Sequence, residues 1–210
     1  MNDRSRSPDR RPLKTRSQPW AQGLAAWLAG HGVSPNAISM LSIVFAAAGA
    51  ASLLFLHAPL GLLICAVAIQ LRLLCNLLDG MVALEGGRKT PVGALYNEIP
   101  DRVADSLLIL ALGYAAGQPW LGWLGALGAA LTAYIRVLGG ALGLAQDFRG
   151  PQAKPHRMAV MTLACLLAAA ESALLGSQFS LLAAAWVIAL GSLLTCFNRT
   201  RAIAAALGAG

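Results

Sequence analysis

Apolar residues recur along the chain in blocks about 20 long, separated by short breaks rich in glycine, proline or charge. A helix of that length is what crosses a hydrocarbon core of roughly 30 Å, and inside lipid a helix satisfies its own backbone hydrogen bonds. The pattern predicts six spans, at 36–56, 60–84, 93–116, 119–145, 155–176 and 178–197. Ahead of them Trp20, Leu24, Trp27 and Leu28 step by four, three and one, which sets them on one helical face. Segment 18–33 is too short to span and reads as an interfacial amphipathic helix lying along the membrane surface. The expected fold is an all-α integral membrane protein. It has a polar basic tail (1–17), the interfacial helix (18–33), one bundle of six transmembrane helices (34–198) and a C-terminal tail (199–210).

Composition strengthens this picture. Of the 210 residues, 57% are hydrophobic and 12% charged, with a mean hydropathy of +0.64; a soluble domain carries roughly twice that charged fraction. The net charge of +7 does not point to nucleic acid, because of where it lies. Six of the sixteen Lys and Arg fall within the first sixteen residues, and most others lie in two loops and the tail. The turns at 57–59, 117–119 and 176–177 carry no charge, whereas every charged connection lies on the side of the N-terminus. Positive charge stays on the cytoplasmic side and is drawn to anionic lipid headgroups. Both termini are therefore expected in the cytoplasm, with the chain in the inner membrane.

No cleavable signal peptide is predicted, since a long charged stretch precedes the first apolar block. Cys65, Cys75, Cys165 and Cys196 stand singly in apolar segments and read as small core residues. Gly- and Ala-rich runs such as Gly122–Ala130 predict close helix packing.

Ionisable residues inside a span are costly and mark function or mutual pairing. They concentrate at the cytoplasmic ends of the second and third spans. Arg72, Asn76, Asp79 and Ala83 share one helical face, as do Asn97, Asp101 and Asp105, with Glu98 and Arg102 on the adjacent flank. Two helix ends offering oxygen donors make a candidate site for a hard divalent cation shared with substrate phosphates. The competing reading is a salt-bridge network of Arg72 and Arg102 with the carboxylates, and spacing alone leaves both open.

The stretch Asn76-x-x-Asp79-Gly80-x-x-Ala83-Leu84, eight residues, then Gly93-x3-Asn97-x3-Asp101 resembles the CDP-alcohol phosphotransferases. These membrane enzymes of phospholipid synthesis carry D-x-x-D-G-x-x-A-R-x8-G-x3-D-x3-D. Ser34-Pro35-Asn36 before the first span and Tyr134-Ile135-Arg136 in the fourth are similar to the family as well. The resemblance implies metal-dependent transfer of a phosphatidyl group from CDP-diacylglycerol, or a related CDP-linked donor, to an alcohol or phosphorylated alcohol, releasing CMP. It implies Mg²⁺ or Mn²⁺ at Asn76, Asp79, Asn97 and Asp101, with Asp101 as general base. It further implies nucleotide contacts at Asn36, Gly80, Ala83 and Gly93, and a homodimer.

Three motif positions depart: Asn76 and Asn97 stand for Asp, and Leu84 for Arg. Asn keeps a carbonyl ligand but loses the charge. Glu98 and Asp105 lie close enough along the helix to compensate, although Asp105 reads equally as a structural partner of Arg72 or Arg136. Arg88 or Lys89 is placed to replace the motif Arg. Arg136, Lys154, His156 and Arg157 are candidate contacts to an acceptor phosphate, with plain positive-inside anchoring as the alternative for Lys154 and Arg157. Glu171, toward the outer end of the fifth span, has no expected function. A non-catalytic lipid-binding relative or a small carrier is the competing class.

Overall fold

A computed structural model describes residues 17–85 and 92–208. Among these residues it contains seven helices and no strand: α1 (Pro19–Gly30), α2 (Pro35–Phe55), α3 (Leu60–Glu85), α4 (Gly93–Ala115), α5 (Pro119–Ala141), α6 (Lys154–Leu174) and α7 (Phe179–Gly208). Proline opens α1, α2, α5 and α6 within the first two positions, where its missing N–H costs nothing and its fixed φ suits the helix. Ser34 caps α2, its Oγ accepting from the Ala37 N–H at 3.1 Å. Glu171 gains a role here. Its carboxylate accepts from the Ser180 N–H (3.1 Å) and Oγ (2.5 Å), tying the end of α6 to the start of α7.

Two helix ends differ from the sequence expectation. α5 stops at Ala141 rather than 145, because Gly143 takes φ +83° and the Leu144 N–H turns back to the Gly139 carbonyl at 3.0 Å. α7 continues to Gly208, beyond the predicted end at 197 and through the expected tail. The apolar pattern ends at Asn198, but the backbone has no reason to stop. Arg199 is 4% exposed there, donating to the carbonyls of Arg149 (2.8 Å) and Thr132 (2.6 Å).

Helices α2–α7 close into a ring in which α2 packs on α3, α3 on α6, α6 on α7, α7 on α5, α5 on α4 and α4 on α2. The ring's core holds Ile69, Leu108, Leu112, Met161 and Ile188, and Cys65 and Cys165 meet thiol to thiol between α3 and α6. Small residues bring backbones together as expected. A Cβ on Gly113 of α4 would lie 2.4 Å from the Cα of Gly122 on α5. Large apolar side chains such as Val44, Phe55, Leu127, Leu163 and Leu190 cover the outside of the bundle.

Five helices, α2, α3, α5, α6 and α7, are long and apolar enough to cross a membrane. α4 matches them in length but carries Glu98, Asp101, Arg102 and Asp105. α1 packs along α3, burying Ala21 and Ala25 with Leu24 and Leu28 partly covered. The face predicted from Trp20, Leu24, Trp27 and Leu28 is therefore divided. Alanines allow the close approach to α3, while Trp20 and Trp27 remain more than half exposed.

Candidate functional site

The second half of α3 presents Asn76, Asp79 and Gly80, and the first turns of α4 present Asn97, Glu98 and Asp101. Both helices pack against α2, and α6 begins at the same end of the bundle with Lys154. Between them lies a cavity of about 560 Å³, lined by these residues together with Arg102, Arg136 and Arg157. Asn36, Ala83, Gly93, Asp105 and His156 lie outside its lining, and Arg88 and Lys89 lie outside the described residues. His156 is exposed, its Nδ1 3.2 Å from the Pro151 carbonyl.

The carboxylates divide into distinct environments. Asp105 is 2% exposed, with one oxygen 2.5 Å from Arg72 Nη2 and the other 3.0 Å from Arg157 Nη2. Both arginines are themselves almost wholly buried. Asp105 thus neutralises two cations that have no water to turn to, and the partner expected in Arg136 is Arg157 instead. Arg157 also donates to the Gln152 carbonyl and, at 3.3 Å, to Thr132 Oγ1. Its placement is architectural.

Asp101, 7% exposed, faces the cavity amid three cations. Lys154 Nζ is in direct contact with Oδ2, Arg102 lies 3.6 Å from the same oxygen, and Arg72 lies 3.4 Å from Oδ1. Glu98 belongs to Arg136, 2.5 Å away, whose other nitrogen donates to Gln146 at 2.7 Å and whose guanidinium sits 5.3 Å from the Phe148 ring centre.

Asp79 differs from all of these. It is 5% exposed, and its Oδ2 accepts a 2.6 Å hydrogen bond from Ser39 Oγ on α2. Its Oδ1 is buried without a hydrogen-bond partner, and so is the amide nitrogen of Asn76 one turn earlier. Eight buried side-chain polar atoms lack a partner among the described residues, and Asp79 Oδ1 is the one carboxylate oxygen among them. The amide's O and N assignment is interchangeable, so Asn76 has an oxygen to offer there. The salt-bridge network thus takes in Asp105, Asp101 and Glu98, while Asp79 Oδ1 and the Asn76 amide are left without a partner.

Several contributors were not foreseen. Ser39 falls one turn after Asn36 in an apolar span, and a polar residue at that spacing was the available signal. Arg199 and Thr132 line the cavity from α7 and α5, and no local pattern marks either. In the loop above, Asp147 accepts from the Arg149 backbone N–H at 2.8 Å and from its guanidinium at 3.0 Å. Partial burial pushes the Asp147 carboxyl up, but Arg149 outweighs this and holds it below its ordinary value.

No family model matches the chain. Archaetidylinositol phosphate synthase of Aeropyrum pernix is 31% identical over 137 residues, covering 65% of this chain and 69% of its own length. The chain belongs to the CDP-alcohol phosphotransferase family. A second CDP-alcohol phosphotransferase, phosphatidylinositol phosphate synthase of Streptomyces avermitilis, is 29% identical over 83% of this chain and 74% of its own. The fold is that of the phosphatidylinositol phosphate synthase of Mycobacterium tuberculosis crystallised with manganese and citrate. That structure aligns with a TM-score of 0.71 at 23% identity, over 87% of this chain and 88% of the other. The same enzyme with CDP-DAG bound aligns with a TM-score of 0.70.

Proposed function

We propose that this CDP-alcohol phosphotransferase moves a phosphatidyl group from CDP-diacylglycerol to the hydroxyl of a small alcohol, releasing CMP. The observation that carries the reading is the pair of unpartnered buried atoms, Asp79 Oδ1 and the Asn76 amide, in a cavity that Asp101 also lines. The names of the relatives in A. pernix and S. avermitilis, both synthases of inositol phosphate lipids, support it.

α4 joins the five apolar helices as a sixth span, its charged residues turned to the cavity and the arginines rather than to lipid. α1 lies in the interface, with Trp20 and Trp27 at headgroup level. The cavity and both termini face the cytoplasm, the side on which the water-soluble nucleotide leaves. The protein acts as a homodimer in the inner membrane.

The residues present fit a divalent cation, Mg²⁺ or Mn²⁺, on the Asp79 side. Among the described residues no three His, Cys, Asp or Glu are grouped to hold a metal, so the donors are Asp79 and the oxygens of Asn76 and Asn97. Hard cations accept carboxylate, amide and phosphate oxygens together. Bound there, the ion supplies charge neutralisation and polarisation at the phosphates.

This chain's own residues do the rest. Ser39 fixes the Asp79 carboxylate. The acceptor oxygen forms a bond to the phosphorus that carries the diacylglycerol, and the bond from that phosphorus to the CMP oxygen breaks. Asp101 takes the acceptor's proton; a carboxylate has roughly four lone-pair sites, so Lys154, Arg102 and Arg72 together leave one accessible. Gly80, in the cavity lining, lets the nucleotide approach α3, whereas Ala83, Gly93 and Asn36 lie outside that lining. Lys154 and Arg136, which line the cavity, favour a phosphorylated acceptor. Glu98 holds Arg136 in position, and any share of Glu98 or Asp105 in ion binding is secondary to the arginines they already hold.

The test is purified protein with CDP-diacylglycerol, Mg²⁺ or Mn²⁺ and a panel of free and phosphorylated polyols, read by mass spectrometry of the lipid product. Metal-dependent formation of a new phospholipid with equimolar CMP is expected, with phosphorylated acceptors at least about tenfold better in kcat/KM, or ~1.4 kcal/mol. Bound CDP-diacylglycerol without product under any metal or acceptor would leave a lipid-binding relative instead.

A further inference from the structure

The site's two halves carry cations differently, and this has a consequence for how many metal ions the enzyme uses. On the Asp79 half no Lys or Arg among the described residues forms an ion pair with the carboxylate, and both Asp79 Oδ1 and the Asn76 amide lack a hydrogen-bond partner. On the Asp101 half the carboxylate is already in direct contact with Lys154 Nζ, which reaches it from the first residue of α6 with a side chain only 23% exposed. The two Asn positions have removed two negative charges from the four-residue set. We infer that the Lys154 ammonium occupies the place of a second divalent ion, so that the enzyme works with one metal ion and one built-in cation.

Charge balance favours this arrangement over its alternatives. Two carboxylates with one divalent ion and one ammonium leave a single net positive charge for a substrate pyrophosphate. Two divalent ions beside the same carboxylates and Lys154 would leave three, in a site where Arg72 and Arg102 also lie within 4 Å of Asp101. Like charges packed at low effective dielectric repel one another more strongly than in water. An ammonium is suited to the substitution. It has three donors and no acceptor, so it can hold Asp101 with one N–H and bridge to phosphate oxygens with the others. It also arrives with the chain and needs no supply of free metal.

The inference rests on the phosphatidyl-transfer reading for the presence of a divalent ion, but its test does not depend on turnover. Bound Mn²⁺ is counted per chain on detergent-purified protein with CDP-diacylglycerol, and electron paramagnetic resonance reports whether ions are spin-coupled. Wild type is expected to bind one uncoupled Mn²⁺. Asn76→Asp with Asn97→Asp is expected to keep the count at one and tighten it. Adding Lys154→Gln to that pair is expected to raise the count to two, with a coupled spectrum, while adding Lys154→Arg leaves it at one. Zero or two ions in wild type overturns the inference, as does a coupled pair in Asn76→Asp/Asn97→Asp with Lys154 intact. If the Lys154→Gln protein does not fold, the counts on those first two proteins still decide. Absence of product in the acceptor panel with one Mn²⁺ bound would remove the transfer reading and leave the cation assignment standing.

Discussion

Asp79→Ala is expected to lower kcat/KM for CMP release by at least about 10³-fold, or ~4 kcal/mol of transition-state stabilisation, in a protein that remains folded. Asp79 is the cavity carboxylate with an oxygen free for a ligand. Its removal takes no ion-pair partner from a buried guanidinium or ammonium; it frees the Ser39 hydroxyl, whose other neighbour is the Pro35 carbonyl at 3.2 Å, and the Gly80 N–H. The thermal unfolding midpoint in detergent should therefore move little while turnover disappears. A variant with more than about a tenth of wild-type kcat/KM would show that charge at this position is dispensable and that the chemistry lies elsewhere.

Asp105→Ala is expected to behave in the opposite way. Arg72 is 0% and Arg157 1% exposed, and Asp105 bonds each with a separate oxygen. Removing it leaves two buried cations facing one another with Asp101 and neutral oxygens for company. Breaking a buried pair by deleting one partner costs about 3–5 kcal/mol, and here one deletion unpairs two. The expected result is a large fall in the unfolding midpoint and in the yield of monodisperse protein. Any loss of activity should parallel the loss of folded material. Unchanged stability with abolished turnover would make Asp105 a ligand instead of a strut, and would revive the reading in which it compensates for Asn97.

The contrast between these two residues explains what the sequence could and could not reveal. Helix positions were legible because lipid imposes a length and an apolar composition on every span, and α2, α3 and α6 begin within a residue of expectation. That Asn76, Asp79, Asn97 and Asp101 line one cavity was legible because they lie on two helices at fixed spacing, so periodicity sets each on a face. Which arginine meets which carboxylate was not legible. Asp105 is 52 residues from Arg157 and Asp101 is 53 from Lys154, and those pairings arise only when α6 folds back against α3. The same holds for Arg199, whose apparent place in a tail concealed a buried guanidinium binding α5 and the loop after it. The contact of α1 with α3 was not legible either, because it is made by Ala21 and Ala25 while Trp20 and Trp27 stay exposed.

The most direct test of the account is a structure of the protein with CDP-diacylglycerol and Mn²⁺, with the ion located by its anomalous scattering. The account predicts one Mn²⁺ peak at coordinating distance from Asp79 Oδ1, with the donor's phosphates beside it and Lys154 still on Asp101. A peak bound by Asp101 with Lys154 displaced, or a donor headgroup seated away from α3 and α4, would contradict it.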